Sequence, residues 1–470
     1  MVAMPDAGRS RGPVARLKGV ARRLLPSGQF GKAVAVLAGG TLVAQLINLV
    51  LSPVFTRLYS PSDFGILSVF ASLLALWNVA GSLRYEMAIP LPEKDEVAAS
   101  AASVAGICLV GMTLVCGLFV ALLGGGVAEL FHMPALAEYL WLLPLGVVTI
   151  GLYQIFYFWA LRKREFSALA RTRVAQSASR SVVQVGLGFW RASPLGLIIG
   201  QIVGGAWGTS TLARAVWPDR SLLTSVSRRS LAEVARRYSD FPKFALTGGM
   251  VNSLGLQAPS LLVAWTYGPT VAGWFALTQR IIGLPMTIVG VAVGESFWGV
   301  APTLARDDPR EFRRLFMRTT RKLVMVAVLP TVALMALAPL LFQLVFGQAW
   351  RTAGLYAAIM APAMLIQFAV SPLSKVSYIL ERQSLQLGLD TMRFVALAAV
   401  FVAASVFDLS ATVAIILMSA VLAASYLVWF AFYYRLIHTY DHSGRAGTEE
   451  TVSASEETVS AEDDDVGRER

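Results

Sequence analysis

Six basic side chains interrupt long apolar runs: Arg171, Arg173 and Arg180 share one run, Arg280 and Arg393 lie about ten residues into two others, and Lys375 falls further along a fourth. A cation in such a place is costly unless it faces a bundle interior or a water-filled cavity. The planar guanidinium fork matches two phosphate oxygens at once, so the chemistry these residues point to is capture of an anion, a phosphate above all. Carboxylates are scarcer. Glu86 and Glu295 fall near the inner ends of two runs, and Asp390 stands one turn before Arg393, which makes these three the candidates for coupling to an ion. The competing role for each cation is structural: snorkelling to a headgroup, or pairing with an internal acid as Arg393 could with Asp390.

Neutral polar residues extend the pattern. Thr41, Gln45, Asn48 and Ser52 recur along one helical face, as do Gly249, Ser253, Gln257 and Ser260 in a later run. Arg173, Gln176, Arg180 and Gln184 share a face in the same way, near Arg171. Nucleophilic or metal chemistry finds little to work with. Cys108 and Cys116 lie in one apolar run as small hydrophobes, and His132, His438 and His442 are scattered, so no metal, cofactor or disulfide framework is expected.

The elements that must position these residues are membrane-spanning helices. The chain is 56% hydrophobic and only 15% charged, against about 25% charged in a soluble domain. Apolar stretches fall near 33–55, 62–83, 97–123, 138–161, 167–190, 194–216, 244–266, 271–298, 322–346, 353–378, 384–407 and 410–434. Each has the length needed to cross a hydrocarbon layer about 30 Å thick. Twelve spans leave no room for a sizeable soluble domain, and nothing suggests a nucleic-acid partner.

Basic residues near span ends resist translocation, and here they divide sharply. Ends and loops on one side hold 28 of them, including Arg84 and the Arg214 to Lys243 stretch, while the other side holds Arg57, Arg191 and Arg351. This split predicts cytoplasmic termini. The net charge of +11 conceals a tail, residues 441–470, with ten acids and three bases. That tail repeats itself and reads as a disordered, solvated segment. Val14, Leu17, Val20 and Leu24, spaced helically among arginines, suit either a helix on an anionic leaflet or a basic arm that sets topology. The expected organisation is a basic arm (1–30), a six-helix bundle (31–217), a basic linker (218–240), a second bundle (241–436) and the acidic tail (437–470).

The two halves carry a common signature. Tyr59-Ser60-Pro61 with Gly65 following matches Tyr267-Gly268-Pro269 with Gly273 following, each at the first outward turn of its half. Six spans per half is an even number, so the halves keep the same orientation about a pseudo-twofold along the membrane normal. An all-α, two-bundle transporter with its site between the bundles is the expected architecture.

The opening of each half also resembles a known family. LAGGTLVAQLINLVLSPVFTRLYSPSDFGILSVF with RYEMAIPLP (Arg84 to Pro92), and DFPKFALTGGMVNSLGLQAPSLLVAWTYGPTVAGWFALTQRIIGLP (Asp240 to Pro285), resemble Wzx-type oligosaccharide flippases of the multidrug/oligosaccharidyl-lipid/polysaccharide superfamily, over residues 30 to 436. The resemblance implies a V-shaped transporter that moves undecaprenyl-pyrophosphate-linked oligosaccharide across a bacterial inner membrane. Polymerase and glycosyltransferase partners, and protons or sodium as coupling ions, are implied with it. Arg84, Tyr85 and Glu86 and the Gln279-Arg280 region match recurrent motifs of that family.

On this reading Arg280, Arg180, Arg393, Arg173, Arg84, Lys375, Gln45, Asn48, Gln257 and Gln279 would line a cationic cavity for pyrophosphate and glycan. An organic-cation antiporter would require an acid-rich cavity instead. A membrane polymerase or ligase would require a large outward loop, whereas the longest, near 124–137, is short and holds no basic residue.

Overall fold

The computed structural model describes residues 29–216, 221–222, 226–380 and 382–466. Nearly all of the basic arm, including its Val14 to Leu24 repeat, lies outside the described residues, as do part of the linker and the side chains of 441–470. Among the described residues every regular element is a helix.

Twelve passes can be followed among the described residues. In the first half they are α1 (Gln29–Leu58), α2 (Pro61–Gly81), α3 (Asp95–Leu130), α5 (Leu143–Arg162), α6 (Phe166–Trp190) and α7 (Pro194–Val216), with a short α4 (Pro134–Leu140) between α3 and α5. A polar helix, α8 (Arg228–Arg237), precedes the second half. There α9 (Leu246–Ile282) contains two passes, because Gly268 at φ 74 breaks it just before Pro269. A left-handed residue of this kind is easy only for glycine. The second of those passes continues through a π-helical turn into α10 (Val291–Asp307). Then follow α11 (Pro309–Phe346), α12 (Arg351–Val370), the short α13 (Val376–Ile379), α14 (Gln383–Val406) and α15 (Ala411–Val466).

Ten helices among the described residues are long and apolar enough to cross a membrane. The two remaining passes are α6 and the first part of α9. These are the helices whose polar stripes stood out in the sequence: three arginines in one, and Ser253, Gln257 and their neighbours in the other. The chain is a multi-pass membrane protein.

The passes gather into two compact units. One comprises residues 1–52, 73–122 and 139–250; the other comprises 53–72, 123–138 and 251–470. In the first, α6 packs along α7, and α5 packs on α7. In the second, α11, α12 and α15 pack on one another and α14 on α15, around Phe297, Phe312, Phe316, Trp429 and Tyr433.

The repeated Tyr-x-Pro-x3-Gly turns meet within the second unit. A Cβ on Gly65 would fall 1.9 Å from the Pro269 carbonyl oxygen, and one on Gly273 would fall 1.7 Å from that of Pro61. Each glycine therefore admits the other turn's proline backbone, in reciprocal fashion. Trp350, fully buried beside them, donates its indole N–H to the Thr56 carbonyl at 2.9 Å and meets Phe64 edge-on.

Candidate functional site

The candidate residues divide between the units: Gln45, Asn48, Arg84, Glu86, Arg173 and Arg180 in the first, and Gln257, Gln279, Arg280, Glu295, Lys375, Asp390 and Arg393 in the second. Each of the three candidate carboxylates lies against a candidate cation.

In the second unit, Arg393 Nη2 donates to Asp390 Oδ1 at 3.0 Å, and its Nη1 donates to the Tyr426 hydroxyl at 3.0 Å. The guanidinium lies 4.9 Å from the Trp429 ring, and only 13% of the side chain is exposed. Gln386 donates to Asp390 and in turn accepts from Tyr433, which closes a network through α14 and α15. Arg393 thus has its charge balanced by its own helix, the structural role open to it in the sequence. Lys375 pairs with Glu295 at 2.8 Å and lies over the Trp298 ring at 5.4 Å.

In the first unit, Glu86 sits in a tight turn after α2. Leu83 and Arg84 both take left-handed backbone (φ 50 and 66), a strained conformation for side chains of their size. The turn sends three consecutive side chains in three directions. Arg84 lies against Gly249, where a Cβ would come within 2.4 Å of its Nη2. The Tyr85 hydroxyl donates to the Ala235 carbonyl on α8 at 3.0 Å. Glu86 is fully buried; Ser82 donates to it, and Arg84 Nη1 stands 3.8 Å away. Burial pushes the Glu86 carboxyl up from its ordinary range, against the opposing pull of Ser82 and Arg84.

The α6 cations differ. Arg173 lies 5.7 Å from the Tyr157 ring, and no carboxylate faces Arg173 or Arg180 among the described residues. The stripe they share is partly helix glue. Gln176 donates to the Gly205 carbonyl at 3.2 Å and Gln184 to that of Leu197 at 3.0 Å, so these two amides face α7. The partner surface is a ridge of Gly200, Gly204 and Gly208, where small residues let backbones approach. That ridge, glycine at every fourth position, is a sequence signal that a search confined to polar residues passes over.

Arg280 of α9 lies 5.5 Å from the Phe55 ring, a cation–π arrangement within the second unit. Gln45, Asn48, Gln257 and Gln279 are each half-buried. Ser52 is buried, its hydroxyl donating to the Asn48 carbonyl of its own helix. No group of His, Cys, Asp or Glu among the described residues could hold a metal ion.

Comparison with known proteins gives the family and the fold. The family model described as "Polysaccharide biosynthesis protein" matches residues 54–354, well over half of the chain. The chain belongs to that family. No curated protein matches it by sequence.

Among solved structures, the lipid II flippase MurJ in an inward closed conformation aligns with a TM-score of 0.65 at 12% identity, covering 87% of this chain and 90% of that one. The Vibrio cholerae MATE transporter VcmN aligns with a TM-score of 0.55 at 13% identity, covering 90% and 98%. An inward-facing multidrug MATE transporter of the MOP superfamily aligns at 0.54 and 14%, covering 86% and 94%. The fold is therefore that of the MOP transporters, as the motifs in each half implied. At such identities the likeness carries the fold and leaves the cargo to this chain's own residues.

Proposed function

We propose that this protein is a flippase that carries undecaprenyl-pyrophosphate-linked oligosaccharide repeat units from the cytoplasmic to the outer leaflet of a bacterial inner membrane. Transport is by alternating access, with a cationic cavity receiving the pyrophosphate. The observation that carries this reading is the charge left after internal pairing: Glu86, Glu295 and Asp390 each lie against a cation, while Arg173 and Arg180 face no carboxylate among the described residues. A fixed positive excess inside apolar helices suits an anionic cargo and repels the organic cations of a drug antiporter. The family match supports polysaccharide biosynthesis as the setting.

Arg173 and Arg180 on α6 and Arg280 on α9 supply guanidinium donors to the phosphate oxygens during passage. Gln45, Asn48, Gln257 and Gln279 supply neutral donors and acceptors for sugar hydroxyls. Arg84, Arg393 and Lys375, each held by an acid, position the helices rather than grip cargo. Both termini lie in the cytoplasm, following the basic loops. Glycosyltransferases act before this step and a polymerase after it. Of the three carboxylates, Glu86 best fits a coupling role, with a proton as the ion: it is fully buried, carries an oxygen with no hydrogen-bond partner, and sits in a strained turn tied to α8.

The test is removal of the protein from cells that make the glycan. Lipid-linked repeat units should then accumulate on the cytoplasmic face, with the undecaprenyl-pyrophosphate product intact and unpolymerised. Normal delivery to the outer face without the protein, or loss of the lipid-linked product itself, would contradict the reading.

A further inference from the structure

The Arg180 side chain poses a charge problem that no described residue solves. Arg180 lies across Gly204 of α7, where a Cβ would come within 2.7 Å of the Arg180 Cβ and 3.0 Å of its Nε. Its Nε is shut off from solvent and finds no acceptor. The two amides that flank it, Gln176 and Gln184, are both engaged with α7 carbonyls.

No aspartate or glutamate occurs in α6, in α7 on which Arg180 lies, or in α1 and α5, which meet α6 at neighbouring turns. The packing that defines those surroundings is direct: Ser177 donates to the Ala44 carbonyl of α1, and Tyr153 of α5 meets Thr172. A guanidinium cannot shed its proton to escape such a place, as a lysine or histidine would. Arg180 is half-buried with its Nε enclosed, and a charge withdrawn from water in this way is costly without a partner.

We propose that Arg180 and the glycine ridge beneath it form a binding site for a small monovalent inorganic anion of the chloride class, which balances the guanidinium when no cargo is present. The size and charge follow from the donors. One guanidinium over a notch floored by Gly204 balances one negative charge, whereas a phosphate dianion needs further cations beside it. A weakly hydrated monovalent ion needs none. The site lies within the first unit and exists whether or not the cargo proves to be a lipid-linked glycan.

The experiment uses the full-length protein purified in detergent, with chloride replaced by gluconate and then titrated back as sodium chloride or bromide. Binding is read by calorimetry and by thermal unfolding, beside a parallel gluconate titration at equal ionic strength. Wild type should bind one halide saturably and unfold at higher temperature in its presence. Arg180→Gln should abolish both effects. Gly204→Ala keeps the charge but drives the side chain off the notch, and should weaken halide binding by about tenfold or more. Arg180→Lys, which guards against a glutamine variant that fails to fold, should bind more weakly than wild type. An exposed control, Arg191→Gln, should behave as wild type. Halide stabilisation undiminished in both Arg180 variants, or matched by gluconate, would overturn the assignment.

Discussion

Arg180 and Arg393 are the same residue type at similar depth in their helices, yet the molecule treats them oppositely. Around Arg393 the fold supplies a carboxylate three residues away, a tyrosine hydroxyl and an indole face, so the charge is consumed by the architecture of α14 and α15. Around Arg180 it supplies glycines and engaged amides. A half-buried ion pair of this kind is a fixture, costly to break and engaged before any ligand arrives. A cation left without an internal partner is available to one. On the proposed function, the contrast sorts the intramembrane arginines into those that hold helices and those that can hold cargo.

The largest effect should come from breaking the fixture. Arg393→Ala strands Asp390 and empties the space under Trp429, and should cost about 3 kcal/mol, the low end for a broken buried pair because Asp390 is 34% exposed, seen as lower membrane abundance and earlier thermal unfolding. Combining Arg393→Met with Asp390→Asn should recover much of that loss, because the orphaned charge goes with its partner. An Arg393→Ala protein of wild-type stability that no longer transports would place Arg393 with the cargo-binding residues and break the contrast.

A smaller cost is expected beneath the α6 stripe. Gly204→Ala overpacks the α6–α7 contact and should destabilise by roughly 1–3 kcal/mol, measured by the same unfolding assay. Neutralising the stripe itself should do the reverse of the Arg393 change. Arg173→Ala with Arg180→Ala removes two cations without orphaning an acid, so abundance should hold or rise while glycan transport falls by about tenfold or more. Transport retained in that double variant would remove α6 from the cargo path.

The smallest effect is a slope. Glu86 has its carboxyl raised by burial, so the folded protein holds that proton more tightly than the unfolded chain. Its contribution to stability is therefore present at low pH and falls as pH rises above the ordinary carboxylate range. Glu86→Gln should flatten this dependence and, if protons drive transport, also remove the pH dependence of transport. An unchanged stability slope in Glu86→Gln would mean that another group titrates there.

Much of this was legible in the sequence, because a bilayer writes itself into run length and charge placement. The passes and the polar faces of α6 and of the first part of α9 follow from periodicity and from where lysine and arginine fall. What each face meets does not. Gln176 and Gln184 share a stripe with Arg180 in the sequence, yet only the packing of α7 reveals that the glutamines bind its carbonyls. The sequence also showed Tyr-x-Pro-x3-Gly twice, but the reciprocal seating of Gly65 on Pro269 and Gly273 on Pro61 joins residues some two hundred positions apart. Nor does Arg84 announce its left-handed backbone, beside which its side chain meets Gly249 and Tyr85 reaches α8.

The most direct test of the whole account is glycan appearing on the outer leaflet, normalised to transporter in the membrane, for wild type, Arg280→Ala and Arg280→Lys. Alanine makes the span more apolar and should insert normally while losing most transport. Lysine keeps the charge without the two-oxygen fork and should retain part of it. Alanine transporting as well as wild type would contradict a guanidinium grip on the pyrophosphate.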